Sequence, residues 1–80
     1  MKIGEAVRFR ILELCEQRGL TPNALANLCG VTQSTLANIV GGRNRSTTIS
    51  TIKKLCDGLE MNIGDFFDSS LFTDLEQEIQ

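Results

Sequence analysis

The feature that most constrains the fold is residues 21–42, in which two short helical patterns meet at a glycine. Thr21 and Pro22 mark a helix start, because a threonine oxygen accepts a hydrogen bond from a free backbone N–H and proline fits the first helical position. Gly30 ends this pattern and can take a positive φ, which turns the chain sharply. Thr32 then follows as the cap of a second helix. The segment therefore predicts two short helices joined by a tight turn.

These two helices are predicted over about 22–29 and 33–40, and the second ends at Gly41-Gly42. Two helices that cross steeply need a small residue where they are closest, and Ala26 meets that need. They also need apolar residues to fill the corner, and the segment supplies Leu25, Cys29, Val31, Leu36 and Ile39. Together these features are the requirements of a helix-turn-helix. The alternative is a generic corner between two helices of a small bundle.

Helical spacing continues on both sides of this segment. A first helix is predicted over roughly 4–18, a fourth begins at a Thr47 or Thr48 cap, and a short fifth runs from an Asn62 cap to Phe66-Phe67. The apolar positions of the first are Val7, Ile11, Leu14 and Cys15, and those of the fourth are Ile52, Leu55, Cys56 and Leu59. No stretch alternates with the period of two that strands require. The predicted fold class is therefore all-α.

The C-terminal residues 68–80 are set apart from the helical domain at 1–67 as an acidic tail. Leu71, Leu75 and Ile79 recur at i, i+4 and i+8 between acids, which is the spacing of an amphipathic helix. A helix this short is marginal in water unless it packs on something. The tail is therefore expected to form an extra helix, to fold back on its own domain or to serve as a dimerisation element, and the alternative is a disordered tail.

Charge is distributed unevenly along the 80 residues, although the formal net charge is only −2. All eight basic residues precede residue 55 with three acidic ones among them, so this part carries +5. From Asp57 onward seven acidic residues and no basic one give −7. This asymmetry suits a protein of which one face meets phosphate while another is turned away. The alternative is a set of solvated surface charges without a partner.

Several classes of protein are excluded by residue types that are missing. With no histidine, no phosphate-cradling glycine motif and no evident carboxylate pair, we expect neither an enzyme nor a cofactor or metal site. Cys15, Cys29 and Cys56 lie far apart at helical core positions and are predicted to be reduced, buried thiols. No apolar run reaches the ~20 residues of a membrane span and no signal peptide is evident, so a cytoplasmic protein without a membrane partner is expected.

The third predicted helix offers an unusual solvent face. If Leu36 and Ile39 point to the core, the advance of about 100° per residue places Ser34 and Asn38 on the opposite side. Gln33 lies on the flank near the N-terminus. A solvated helix face usually mixes Glu and Lys, and this face has neither. Amide side chains match the donor and acceptor of adenine in the major groove, and hydroxyls are more permissive readers. Base contact is the functional interpretation, and neutral surface residues are the alternative.

A polar, basic loop over residues 43–48 follows the third helix directly. Arg43 and Arg45, together with Asn44 and backbone N–H groups, suit the phosphates that flank a helix inserted in a groove. Such contacts position a protein on the duplex without specifying sequence. Lone surface arginines are usually just solvated, so this interpretation depends on their place after the third helix.

Over about residues 3–67 the chain resembles the lambda-repressor-like, Cro-type (Xre) family of DNA-binding regulators. The resemblance is carried by Arg18-Gly19-Leu20-Thr21, Leu25-Ala26, Gly30-Val31-Thr32-Gln33-Ser34-Thr35-Leu36 and Gly42-Arg43. The spaced apolar residues that resemble the family's fourth and fifth helices are Ile49, Ile52, Leu55, Leu59, Ile63, Phe66 and Phe67. The resemblance implies a five-helix domain whose third helix reads the major groove, usually as a homodimer on a two-fold operator of double-stranded DNA.

By position, the resemblance implies two groups of DNA contacts. The base-reading candidates are Thr32, Gln33, Ser34, Ala37 and Asn38. The phosphate-contacting candidates, taken with the loop, are Thr21, Asn23, Thr35, Arg43, Asn44 and Arg45. Pro22 departs from the family, since many members have a glutamine there that contacts a phosphate, so this contact is lost or passes to Asn23. Val40 departs too, at a position that is commonly polar.

The function that these features predict is a sequence-specific transcriptional regulator, acting as a repressor. The competing hypothesis is a protein-interaction module of the same fold, such as an antitoxin-like partner. The acidic C-terminal part and a pI of about 4.9 favour this second hypothesis, with a protein partner bound through the acidic part.

Overall fold

Helices account for most of the chain, as the spacing predicts. The computed structural model describes residues 1–79 and contains five α-helices and one short 3-10 helix in that range. Their bounds are Ile3–Arg18 for α1, Pro22–Cys29 for α2, Gln33–Val40 for α3, Ile49–Gly58 for α4, Ile63–Phe67 for α5 and Ser70–Phe72 for the 3-10 helix. No strand occurs among these residues, which confirms the all-α prediction. None of these helices is long and apolar enough to cross a membrane.

Four of the α-helices begin at a side-chain cap. The hydroxyls of Thr21, Thr32 and Thr48 each accept a hydrogen bond from the N–H three residues on, over 3.1, 3.1 and 3.2 Å. The side-chain oxygen of Asn62 does the same at the start of α5, over 2.7 Å. Each bond satisfies one of the N–H groups that a helix start leaves unpaired. The predicted caps are confirmed, with Thr48 rather than Thr47 at the start of α4.

The corner between α2 and α3 has the geometry that the sequence predicts. Gly30 takes a φ of 68°, in the left-handed region that favours glycine. The N–H of Val31 then donates to the carbonyl oxygen of Ala26 over 3.0 Å, which closes the turn. Ala26 is fully buried where the helices meet. The residues buried around it in the corner are Leu25, Cys29, Leu36 and Ile39, with Val31 half-buried.

The three free cysteines lie in the core, as expected. Burial raises the pKa of the Cys15, Cys29 and Cys56 thiols, so they stay protonated at neutral pH. α4 also comes very close to α2 at this point. A Cβ added to Gly58 would overlap the sulfur of Cys29, so a glycine is needed for the two helices to pack this closely.

One arginine is buried in the fold, which the sequence pattern did not predict. Arg10 is 8% exposed, and its Nε donates to the carbonyl oxygen of Phe66 over 2.6 Å. Its Nη2 donates to the carbonyl oxygen of Asp65 over 2.8 Å, and its Nη1 pairs with Glu13. The guanidinium therefore binds two carbonyl oxygens at the end of α5, where a helix lacks its own donors. This charge supports the fold and does not form part of a phosphate-binding face.

Two further arginines of α1 also bind the ends of other helices. Arg18 donates from Nη1 to the carbonyl oxygen of Leu59, just after α4, over 2.9 Å. Arg8 donates from Nε to the carbonyl oxygen of Val40, the last residue of α3, over 2.6 Å. A cation is favourable at a helix C-terminus, where the carbonyl dipoles leave a partial negative charge. Three of the eight basic residues of segment 1–54 therefore hold helices together through hydrogen bonds to carbonyl oxygens.

The expectation of an extra helix in the tail is wrong for the described residues. Only Ser70–Phe72 forms a 3-10 helix, and no helix follows over 73–79. The hydroxyl oxygen of Ser69 accepts from the N–H of Leu71, two residues on, over 3.2 Å. This is a local turn and not the bond to the third residue that starts an α-helix. Gln80, the last residue of the predicted tail, lies outside the described residues.

The tail folds back on its own domain, which was one of the alternatives. The Phe72 ring meets that of Phe67 edge to face, with 4.9 Å between centroids, at the margin of the core. Farther on, the N–H of Glu76 donates to the carbonyl oxygen of Met1 over 3.0 Å, which ties the tail to the start of α1. The side chains after Phe72 are exposed except for that of Leu75, which is half-buried. The tail is thus held by a few contacts at the edge of the fold.

Candidate nucleic-acid interface

α3 turns its apolar side inward and its polar side to solvent. Leu36 and Ile39 are each 1% exposed. All the predicted base-reading residues are exposed: Thr32, Gln33, Ser34, Ala37 and Asn38. The chain from Gly19 to Gly42 contains no charged residue, so no carboxylate lies on α2 or α3. The exposed face of α3 therefore offers amide, hydroxyl and methyl groups without a charge that would repel DNA.

Two threonines at the start of α3 hold each other in place. The Thr32 hydroxyl accepts from the Thr35 N–H and donates to the Thr35 hydroxyl oxygen over 2.7 Å. The proton of the Thr32 hydroxyl and one of its two acceptor lone pairs are thereby used within the helix cap, and its methyl group takes no part in these bonds. The Thr35 hydroxyl keeps its own proton free, so Thr35 can donate to a phosphate oxygen.

A side-chain pair joins α2 to the start of α3 on this surface. The amide nitrogen of Gln33 lies 3.5 Å from the side-chain oxygen of Asn27, within hydrogen-bond distance at its long end. This contact orients the Gln33 amide, and Asn27 was not among the residues that the sequence singled out. The sequence signal for a role of Asn27 at this surface is weak, since Asn27 is only an amide on a helix that has no charged side chain.

The start of α2 carries two of the predicted phosphate contacts, Thr21 and Asn23. Thr21 and Asn23 are exposed. The Thr21 oxygen accepts the N–H of Ala24, and its hydroxyl proton remains free to donate. Because Pro22 has no N–H, the backbone N–H of Asn23 is the first that this helix end can offer to an anion. Helix N-termini attract phosphate through such N–H groups.

The loop after α3 is fixed to the last turn of that helix. The carbonyl oxygen of Asn38 accepts from the N–H groups of both Arg43 and Asn44, each over 2.9 Å. The Asn44 side-chain oxygen accepts from the N–H of Ser46 over 3.0 Å, which forms a second small turn. Arg43 and Arg45 are exposed, and Asn44 is half-buried. The two arginines are thus carried by an ordered loop, while the Asn44 oxygen serves the loop itself.

α1 supports this loop from the other side, through contacts that the sequence pattern does not predict. Arg8 reaches the end of α3 through the bond to Val40 described above. Gly4, in the first turn of α1, lies against the backbone of Arg45 so closely that an added Cβ would overlap its carbonyl oxygen. These contacts join residues more than thirty positions apart, so no local pattern reveals them. The one sequence signal for this contact is the presence of Gly4 inside a helix. Glycine destabilises a helix by about 1 kcal/mol relative to alanine, so its presence suggests a close contact.

Basic side chains border the face of α3, and acidic side chains of α1 and the tail, Glu5 and Glu78, lie close to Arg45. Arg43 and Arg45 border the neutral face of α3, whereas Glu78 lies in a small cleft shared with Lys2 and Arg45. Among residues 1–79, no three His, Cys, Asp or Glu side chains come together in a way that could hold a metal ion. The arrangement of α3 and its loop is suited to a polyanion that carries hydrogen-bonding groups between its charges.

Comparison with known proteins agrees with this geometry. A family model described as the Cro/C1-type HTH DNA-binding domain matches residues 10–70. The crystal structure of the prophage Lp1 protein 11 is similar, with 39% sequence identity and a TM-score of 0.79, over 94% of this chain and 100% of that chain. No curated protein matches the chain. The resemblance inferred from the sequence is thus confirmed, and the chain belongs to the Cro/C1-type helix-turn-helix family of DNA-binding regulators.

Proposed function

We propose that this protein is a sequence-specific repressor that binds double-stranded DNA with α3 in the major groove. The observation that carries the proposal is the exposed face of α3, which is neutral and polar and is followed at once by two exposed arginines. A face of this kind can form hydrogen bonds to base edges, while the arginines bind the phosphates on either side. An ordinary surface helix would carry mixed charges instead.

In this proposal the two groups of residues have different tasks. Gln33, Ser34 and Asn38 form hydrogen bonds to base edges, and the methyl groups of Thr32 and Ala37 contact thymine methyls. The phosphate contacts are made by Thr21, Asn23, Thr35, Arg43, Asn44 and Arg45. Asn44 would use its amide N–H groups, because its oxygen is bonded to the N–H of Ser46. The division 1–67 for the DNA-binding domain and 68–80 for an added tail is part of the same proposal.

The proposal includes a homodimer on a two-fold operator. An eight-residue α3 reaches only a few base pairs, so two copies in successive major grooves, about 34 Å apart, would give the specificity that one copy lacks. Ile63 on α5 is 38% exposed and Ile79 in the tail is 86% exposed, which gives the C-terminal side apolar groups to bury. Sedimentation equilibrium of the full chain tests this. We expect a dimer that Ile63→Ser or Ile79→Ser weakens, and a monomer at high concentration would contradict the proposal.

The DNA-binding part is tested by fluorescence anisotropy with a labelled duplex of mixed sequence at increasing salt. We expect micromolar binding at low salt that falls steeply as salt rises, because binding releases counterions from the phosphates. Selection from a random duplex library then identifies the operator. If the selected sequence is bound no more tightly than a scrambled one, sequence-specific binding is wrong. A reporter promoter that contains the operator should lose expression when the protein is present, and increased expression would contradict the repressor role.

The acidic C-terminal part supports a second candidate function, a module that binds another protein. Residues from Asp57 onward carry seven of the ten acidic residues and no basic one. If the protein does not bind any duplex even at the lowest salt, this second candidate is favoured. A basic protein partner should then bind in a salt-dependent way and lose affinity when Asp74, Glu76 and Glu78 are neutralised.

A further inference from the structure

Arg8 on α1 binds the C-terminal end of α3. Its Nε donates to the carbonyl oxygen of Val40 over 2.6 Å, and its guanidinium lies 5.0 Å from the centre of the neighbouring Phe9 ring. The last carbonyl groups of a helix have no partner within the helix, so an outside donor both satisfies and locates them. Arg8 is half-buried, and Phe9 keeps an exposed fraction of 37% beside it. The end of α3 is therefore attached to α1 at a defined point.

Gly4, one turn earlier on α1, determines where the loop after α3 can lie. The Cα of Gly4 packs against the peptide of Arg45, and a side chain at this position would overlap the Arg45 carbonyl oxygen. A glycine in a helix is usually unfavourable relative to alanine. The close contact explains its presence, because only glycine lets the first turn of α1 approach the loop backbone.

The loop is thus held from two sides. On one side the Asn38 carbonyl oxygen accepts from the N–H groups of Arg43 and Asn44. On the other side Gly4 touches the Arg45 peptide, and Arg8 lines the cleft between them. The side chains of Arg43 and Arg45 point from a backbone that α1 and α3 fix together. A contact to phosphate depends on this fixed geometry, since an interface residue displaced by about 1 Å loses much of its contribution.

We propose that Gly4 and Arg8 are positioning residues of the DNA interface, which hold Arg45 and the end of α3 where they meet the phosphate backbone. The inference rests on the proposed function, in which Arg45 contacts phosphate. Neither residue touches DNA through its own side chain. Gly4 acts through the position of the Arg45 peptide, and Arg8 acts through the carbonyl group of Val40.

Gly4→Ala is the first test, with Gln17→Ala as its control on an exposed position of the same helix. Alanine has a higher helix propensity than glycine or glutamine, so neither substitution should lower the melting temperature of the domain by weakening α1 itself. We expect Gly4→Ala to weaken binding to a mixed-sequence duplex roughly tenfold, which is the loss of one hydrogen bond to a charged group. The slope of log Kd against log salt should fall by about 1, as for one lost phosphate contact. Gln17→Ala should keep the wild-type affinity and slope.

Arg8→Ala is the second test, and Arg18→Ala is its matched control. Both variants remove one positive charge from α1 and one hydrogen bond to a carbonyl group at the end of another helix. Only Arg8 lies beside the loop, so Arg8→Ala should weaken binding several-fold more than Arg18→Ala at equal loss of thermal stability. Equal effects of the two variants on affinity and on the salt slope would overturn the positioning role of Arg8.

A double-variant cycle separates this inference from the proposed function. In an Arg45→Ala background, Gly4→Ala should cost little further affinity, because the contact through which it acts has gone. If the wild-type protein binds no duplex, the proposed function fails. If the wild-type protein binds and Arg45→Ala weakens it, but Gly4→Ala binds normally, the positioning role alone is wrong. If Arg45→Ala binds the duplex as tightly as the wild-type protein, the positioning role is wrong as well, because Gly4 acts through Arg45.

Discussion

Two regions of this chain carry the same helical spacing of apolar residues and form different structures. In the helix-turn-helix region, residues 21–40, the spacing is accompanied by two threonine caps and a glycine turn, and two α-helices form. In the tail, residues 68–79, Leu71, Leu75 and Ile79 have the same spacing, yet only a 3-10 turn forms. Apolar residues at helical spacing therefore form an α-helix here only where caps, a turn and a surface to pack on accompany them.

The two regions also differ in charge. The chain from Gly19 to Gly42 is neutral, and its specificity would come from hydrogen-bonding groups on a rigid helix. The tail is acidic, is bound to the domain by few contacts and ends beside the basic loop, since Glu78 shares a cleft with Arg45. One region is therefore built for fixed geometry, and the other adds a negative charge near the place where phosphate is expected to bind. Four predictions sharpen this contrast.

The largest expected difference between the regions is in stability. Leu36→Ala removes a side chain that is 1% exposed and leaves a cavity between α2 and α3, which should cost about 2–5 kcal/mol of unfolding free energy. Leu75→Ala removes a half-buried side chain of the tail and should cost about 1 kcal/mol or less. Urea unfolding followed by helical circular dichroism measures both. Equal losses would show that the tail is as much a part of the core as α3.

The second difference concerns what each residue of the interface does on DNA. Asn38→Ala should cost about 1–3 kcal/mol at one base pair of the operator and leave binding to mixed-sequence DNA nearly unchanged. Arg43→Ala should weaken binding to every duplex alike and lower the salt slope by about 1. Anisotropy titrations with the operator and its single-base variants measure both effects. Identical behaviour of the two variants across sequences would contradict the separate roles of α3 and its loop.

The third difference concerns the two hydroxyls that begin the short elements. Thr32→Ala removes the cap of α3 and should cost about 1 kcal/mol of stability. Ser69→Ala removes a bond to the N–H of Leu71 at the start of the 3-10 turn, and its cost should stay within about 0.5 kcal/mol. Thermal unfolding of both variants tests this. A larger loss for Ser69→Ala would mean that the tail has a cooperative structure of its own.

The sequence predicts the fold well because its local signals agree with one another. The caps at Thr21, Thr32 and Asn62 and the turn at Gly30 are short-range features, so helix bounds follow from them within about one residue. The exposure of the predicted base-reading residues follows from the same periodicity. In the tail, periodicity alone is a poor guide, because the Ser69 hydroxyl accepts from the N–H two residues on and starts a 3-10 turn instead of an α-helix.

Long-range contacts are what the sequence could not provide. By sequence alone, the three arginines of α1 have the character of surface charges. In the fold, each of Arg8, Arg10 and Arg18 binds a carbonyl group at least thirty residues away. Their carbonyl partners have no side-chain signature, since every residue has a backbone oxygen. The contact of Gly4 with Arg45 is hidden for the same reason. The sequence therefore predicts the exposure of the candidate DNA-contacting residues better than the contacts that hold them in place.

The smallest expected effect is on the tail charge nearest the loop. Glu78→Gln removes a negative charge from the cleft that Glu78 shares with Lys2 and Arg45. Because the side chain is exposed and screened, we expect a gain in affinity for mixed-sequence DNA of roughly two- to fourfold at low salt, which disappears near 0.3 M salt. Stability should stay unchanged. Anisotropy titrations at several salt concentrations measure the effect.

The control is Glu16→Gln, an equal change in net charge at the far end of α1. Glu16 lies eleven residues beyond Glu5, which lines the same cleft, and the helical rise makes this about 16 Å along the axis. That separation exceeds the Debye length of about 10 Å at 0.1 M salt, so the two variants are compared at 0.1 M salt, where the control should gain almost nothing. If both variants gain equally, net charge alone acts and the position of the tail has no effect on DNA binding. If only Glu78→Gln gains, the fold-back of the tail places its charge where it opposes phosphate, and the contrast between the two regions extends from structure to binding.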